Sequence, residues 1–134
     1  YAGGTRIPIT EEILREGQWA KLRFAKKYPA EVNNEGWPAI VRDVLQKAGL
    51  TLDDIPLFLF TQVNLSTIKE VMSRLDLPMS RTHTIMGKWG YTGSACIPMV
   101  LDDAIREGKL KRGDNLVMCA SGGGLNMACV AFRY

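Results

Sequence analysis

Residues 57–60 read Leu-Phe-Leu-Phe. Four bulky apolar residues in succession make a strand with no solvent side, so it must be covered on both faces. That requires helices on each side of a sheet and excludes a helical bundle or a sheet with one wet face. The flanking sequence supplies the cover. Before the strand, Ile40, Val41, Val44, Leu45 and Ala48 mark one face of a helix that starts near Pro38 and is capped by Gly49. After it, Asn64 is placed to cap a helix whose stripe is Leu65, Ile68, Val71, Met72 and Leu75.

The same pattern continues on both sides. Thr10 followed by Glu11 and Glu12 is a helix start. That helix is expected to reach about Tyr28, weakened by Gly17 and stopped by Pro29, with Asn33, Asn34 and Gly36 in a loop. A short strand is expected over Thr82–Met86 and a helix over residues 93–107, ended by Gly108 and apolar almost all round in its first half. Strands follow at Leu116–Ala120 and Met127–Phe132 around the Gly122–Gly124 turn. The order α-α-β-α-β-α-β-β predicts one α/β domain. It has a mixed, mostly parallel sheet covered by helices, and the last two strands pair antiparallel.

Charge narrows the function. Lys and Arg number 17 against 14 Asp and Glu, a net charge of +3. With no basic run longer than two residues, no nucleic-acid partner is expected. The longest apolar run, Ala95–Leu101, is far too short to span a membrane, and no apolar signal region opens the chain. Cys96, Cys119 and Cys129 lie in apolar surroundings without a disulfide pattern, which suits a reducing cytoplasm. The expected location is therefore cytoplasmic. No His, Cys and acid spacing fits a metal site, and His83 reads as structural or exposed rather than catalytic. Tyr1 in place of an initiating Met suits a trimmed chain.

Four segments, in order, resemble the C-terminal half of ketoacyl-ACP synthase III. Thr51–Asn64 is similar to the strand and loop that end in Pro-His-Gln-Ala-Asn in that family. Lys88-Trp-Gly-Tyr-Thr-Gly-Ser-Ala-Cys-Ile-Pro98 resembles its Arg-Tyr-Gly-Asn-Thr-Ser-Ala-Ala-Ser-Ile-Pro. Leu101–Asp114 resembles the following helix and its exit, and Ser121-Gly-Gly-Gly124 the closing Phe-Gly-Gly-Gly turn. The resemblance covers essentially residues 1–134. It implies half of a thiolase-like fold, with the nucleophilic Cys in an N-terminal half absent from this chain.

The resemblance also implies a chemistry: acyl transfer or condensation from acyl-CoA in fatty-acid or related biosynthesis. Acyl-CoA or a phosphopantetheine thioester would be the substrate, with no permanent cofactor. Expected partners are the N-terminal half, a second copy in a homodimer, and acyl carrier protein. The family's His falls on Thr61, its Asn on Tyr91 and its oxyanion Gly on Gly123. Asn64 faces the pantetheine channel in the family, and Ser121 replaces a Phe beside the Gly run.

The catalytic expectation is thus Thr61, Tyr91 and Gly123, with Asn64 and Ser121 binding substrate. A threonine cannot carry a proton near neutral pH as imidazole does. Loss of one preorganised donor typically costs ~10²–10³ in rate, so decarboxylation by the family's route is not expected unchanged. The substitutions are all hydrogen-bonding residues, which points to a repurposed enzyme. The alternatives are a non-catalytic subunit of the same fold and an acyl-CoA or acyl-ACP binding module. Lys69, Arg74, Arg81 and Lys88 read either as a solvated face or as a dock for an acidic carrier.

Overall fold

The computed structural model describes residues 9–17, 29, 31–123 and 125–134. Helix α1 (Glu11–Arg15) starts at Thr10, whose hydroxyl accepts from the Ile13 N–H at 3.3 Å. It does not extend to Tyr28. The chain leaves the helix at Glu16, and Gly17 takes φ 66°. Positions 18–28, with the expected Trp19, Leu22 and Phe24 stripe, lie outside the described residues.

Helix α2 (Glu31–Ala48) corrects the expected loop at Asn33, Asn34 and Gly36, all of which are helical. Pro38 sits inside the helix rather than at its start, and there it removes one backbone donor. Tertiary packing outweighs this local cost. Trp37 is 1% exposed and stacks on Phe60 with ring centroids 5.4 Å apart. Gly36 lies against the neighbouring strand so closely that a Cβ there would stand 2.5 Å from Met127 Sδ.

Strand β1 (Leu57–Phe60) is buried along its whole length. Helix α3 (Leu65–Arg74) begins at Asn64, whose side chain accepts from the Ser66 N–H. Helix α4 (Met86–Trp89) occupies the end of the segment expected as a strand. The remainder of that segment contributes a single parallel bridge, Thr82 to Phe58. Side chains replace the missing ladder: Thr82 Oγ1 donates to the Phe58 carbonyl at 2.7 Å, and Gln62 bonds to His83 and Ile85. Helix α5 (Cys96–Arg106) follows a tight turn at Gly93–Ala95.

Strand β2 (Asn115–Gly122) pairs parallel with β1, from Leu57 with Leu116 to Phe60 with Cys119. Strand β3 (Asn126–Arg133) pairs antiparallel with β2, from Asn115 with Arg133 to Gly122 with Asn126. The mixed sheet has the order β1-β2-β3.

Alternation along the strands divides the core into two layers. Phe58, Phe60, Val117 and Cys119 face α2 and α3, meeting Trp37, Val41, Ile68 and Met72. Leu57, Leu59 and Leu116 face the other way, meeting Ile85, Val100 and Ala104 of the α5 side. This α/β/α sandwich holds the C-terminal ends of parallel β1 and β2 side by side. No helix among the described residues is long and apolar enough to cross a membrane.

Candidate active site

The carboxyl ends of adjacent parallel strands are where open α/β sheets place ligands. Thr61 follows β1 directly and is 4% exposed. Its N–H donates to the Cys119 carbonyl at 3.2 Å, and its hydroxyl accepts the Ser121 N–H at 3.1 Å. Tyr91 comes from the α4–α5 loop, between Gly90 at φ 66° and Gly93 at φ 61°. The tyrosine is 55% exposed, and its hydroxyl has no partner among the described residues.

Thr61, Tyr91, Ser121 and Gly123 all line one cleft of about 470 Å³, walled by Cys96, Ile97, Met127 and Ala128 among others. Thr61 and Ser121 also border a smaller recess of about 250 Å³ that contains Asn64. Tyr91, Ser121 and Gly123 border a third hollow with Val63 and Leu125. All five expected site residues therefore converge. Asn64 serves as the α3 cap at the same time: its Oδ1 accepts from Ser66 N–H at 3.0 Å and from Ser66 Oγ at 2.7 Å.

Among the described residues lining these three hollows there is no carboxylate, imidazole or amine. Hydroxyls, side-chain amides and backbone N–H groups furnish the polar chemistry. Such a site can stabilise developing negative charge on oxygen, and none of the described residues lining it offers an imidazole, amine or carboxylate as general base.

Sequence reasoning missed Gln62. It is fully buried, donates from Nε2 to the Phe60 carbonyl at 2.8 Å, and accepts the Ile85 N–H on Oε1 at 2.9 Å. It fixes the exit of β1 against the segment that leads to Tyr91. A glutamine two residues after a wholly apolar strand was the available signal.

A second polar cluster lies behind that segment. His83, 5% exposed, contacts Asp103 through Nε2 at 2.7 Å and Lys109 Nζ through Nδ1 at 2.8 Å. Lys88 Nζ donates to both Asp103 oxygens, at 2.8 and 2.9 Å, and to Glu107 at 2.9 Å. Lys88 and then His83 hold the Asp103 carboxyl below the usual carboxylate range. Glu107 is lowered chiefly by Lys88, and Lys88 is itself raised by the two acids. His83, Asp103 and Glu107 lie close enough together to hold a metal ion. Lys88 already bonds to both carboxylates, Lys109 to His83 Nδ1, and His83 Nε2 to Asp103.

The expected basic patch is largely committed to the fold. Arg74 pairs with Glu70, and Arg81 bonds to the Leu52 and Ile55 carbonyls while lying over the Phe58 ring. Cys119 and Cys129 stand opposite each other on β2 and β3. Their shared hydrogen bond and burial push the Cys119 thiol above its ordinary value.

Residues 45–134 match the family model described as the C-terminal region of 3-oxoacyl-[acyl-carrier-protein] synthase III. The chain belongs to the 3-oxoacyl-ACP synthase III family. It is 34% identical over 99% of its length to beta-ketoacyl-ACP synthase III of Roseiflexus castenholzii, and 34% identical over its whole length to that of Aquifex aeolicus. The chain spans about 40% and 42% of those two relatives.

Solved synthase III structures superpose on it. The Aquifex aeolicus enzyme gives a TM-score of 0.74 at 36% identity, covering 78% of this chain and 35% of that one. The Pseudomonas aeruginosa enzyme gives 0.76 at 28% identity, covering 85% and 38%. The fold is thus the C-terminal half of a thiolase-like synthase III.

Proposed function

We propose that this chain forms the C-terminal half of a synthase III-type acyltransferase that accepts an acyl group from acyl-CoA. The observation that carries this reading is the convergence of Thr61, Tyr91, Ser121 and Gly123 on one cleft at the carboxyl ends of β1 and β2. A cysteine in the N-terminal half would carry the acyl group as a thioester. The Gly123 N–H would face the oxyanion formed in acyl transfer.

Thr61 and Tyr91 would act as paired neutral donors to a thioester enolate. The Thr61 oxygen is already engaged as an acceptor by Ser121, so its own proton is directed elsewhere. No imidazole backs these donors, so condensation with a malonyl thioester would be slow relative to acyl transfer. The protein would work in the cytoplasm as a homodimer of two-half subunits, with fatty-acid or related biosynthesis as its setting and acyl carrier protein as a partner.

The exposed apolar side chains around the cleft support a covering half. Val63 is 57% exposed and Leu125 37%. The test is a turnover assay on the full-length protein with acyl-CoA and malonyl-ACP, with products resolved by mass spectrometry. Acyl exchange between thiols faster than β-ketoacyl formation supports the reading. Neither activity, with bound acyl-CoA recovered intact, would favour the binding module instead.

A further inference from the structure

Cys119 and Cys129 are direct partners across antiparallel β2 and β3. The ladder fixes what kind of pair they form. The Cys119 carbonyl accepts from the Thr61 N–H, so it points toward β1. Within a strand, a residue's N–H and C=O point to the same edge, so Cys119 offers neither to β3. The two cysteines are therefore a non-hydrogen-bonded pair, the kind whose Cα atoms are only about 4.5 Å apart and whose side chains come closest. A disulfide spans Cα separations of about 4.4–6.8 Å. A bridge can close here without taking the strands apart.

Both side chains lie on the sheet face that packs against α2, with Cys119 fully buried and Cys129 half-buried beside it. The Cys119 thiol donates its hydrogen bond to the Cys129 sulfur. That bond keeps Cys119 protonated and holds the Cys129 thiol below its ordinary value. Cys129 is thus both the more exposed and the more readily ionised of the two, and the thiolate is the form that oxidants attack.

We propose that Cys119 and Cys129 form a reversible dithiol–disulfide site, closed by a hydroperoxide such as hydrogen peroxide. The Cys129 thiolate attacks one peroxide oxygen. An S–O bond forms, the O–O bond breaks, and the departing hydroxide takes up the proton that the thiol released. The Cys119 sulfur then attacks the sulfur of the Cys129 sulfenic acid. The S–S bond forms, the S–O bond breaks, and the second hydroxide leaves with the Cys119 proton. Two thiols lose two electrons and two protons, and one hydrogen peroxide becomes two waters. An external thiol reopens the bridge by exchange.

The bridge bears on the cleft. Ser121 and Met127 are the next pair on the same face, and both line it. Open cross-strand pairs hold their Cβ atoms about 4.5–5.5 Å apart and disulfides about 3.8 Å, so closure draws the strands together by about 1 Å beside that pair. The bridge would close whether or not the cleft handles thioesters.

The test treats the full-length protein with hydrogen peroxide, alkylates it with iodoacetamide in denaturant and digests it with trypsin. Arg112 and Arg133 bracket both cysteines in one peptide, residues 113–133. From untreated protein that peptide should carry two alkyl groups. After peroxide it should carry none and weigh two hydrogens less than the free dithiol, and dithiothreitol should restore both alkylation sites. Oxygen added at Met118 or Met127 changes the mass but not the alkylation count. Two alkyl groups retained after peroxide, or a loss that dithiothreitol does not reverse, overturns the site. So does a disulfide joining either cysteine to one elsewhere in the chain.

The order of attack is read from single variants. Cys119→Ala should leave a Cys129 sulfenic acid that dimedone captures, whereas Cys129→Ala should leave Cys119 uncaptured; the reverse pattern contradicts the order. In protein labelled at its methionine methyls, the resonance missing from Met127→Leu should move on closure and return with dithiothreitol. A stationary resonance in the closed form would overturn the link to the cleft.

Discussion

The Thr61 hydroxyl accepts the Ser121 backbone N–H at 3.1 Å. A side chain at the end of one strand thereby ties down the backbone at the end of its parallel neighbour, at the base of the cleft. Thr61→Val keeps the shape and removes the acceptor. It should cost about 1 kcal/mol of stability, read as a lower denaturation midpoint, whereas Thr61→Ser should leave stability near wild type. Equal midpoints for Thr61→Val and the wild type would show that the bond contributes nothing.

The family's donor pair can be put back. In the full-length protein, Thr61→His with Tyr91→Asn should raise malonyl thioester decarboxylation at least about tenfold, since each lost donor of this kind typically costs ~10²–10³. Radiolabelled carbon dioxide release measures it. An unchanged rate in a folded double variant would mean that the frame around the two positions no longer presents them to substrate.

Gln62 is the strongest single prediction for the scaffold. Gln62→Leu leaves the buried Ile85 N–H without its acceptor and frees the segment that leads to Tyr91. The expected loss is about 2–3 kcal/mol, measured by chemical denaturation. A loss under about 0.5 kcal/mol, the range of an ordinary surface change, would contradict the clamp.

The Lys88–Asp103 pair predicts the acid limb of stability. Asp103 has a folded pKa below its ordinary 3.8. Its contribution is therefore present above that value and lost as pH falls through the lower folded one. In Lys88→Met the largest cause of the depression is removed, so acid unfolding should begin at higher pH than in the wild type. Lys88, raised above 10.5, contributes below that value and ceases to do so as pH climbs through its folded pKa. Circular dichroism followed from neutral pH downward checks the acid side; coincident curves would contradict it.

Much of the scaffold was legible because its signals are local. The apolar run at Leu57–Phe60, the Asn64 cap and the glycine turn between β2 and β3 each follow from neighbouring residues alone. The first turns of α2 were not legible. Asn33, Asn34, Gly36 and Pro38 all disfavour helix, and what holds them is distant: Phe60 under Trp37 and Met127 against Gly36. Thr82–Met86, expected as a short strand, keeps one bridge to β1, and side-chain bonds from Thr82 and Gln62 replace the rest of the ladder.

The candidate site divides in the same way. Thr61, Tyr91, Ser121 and Gly123 were named only through the family's motifs, since nothing in their local spacing brings together residues thirty apart. Gln62 carried no motif. It emerged from burial and from the partners its polar atoms find.

The central claim is that this half-domain completes a site that accepts an acyl group from a thioester. Intact-protein mass spectrometry of the native full-length product, before and after incubation with acyl-CoA, tests it most directly. The account predicts a mass gain equal to one acyl group per chain, removed by hydroxylamine and mapped to a cysteine outside these 134 residues. A native product that binds acyl-CoA but never gains that mass would contradict it.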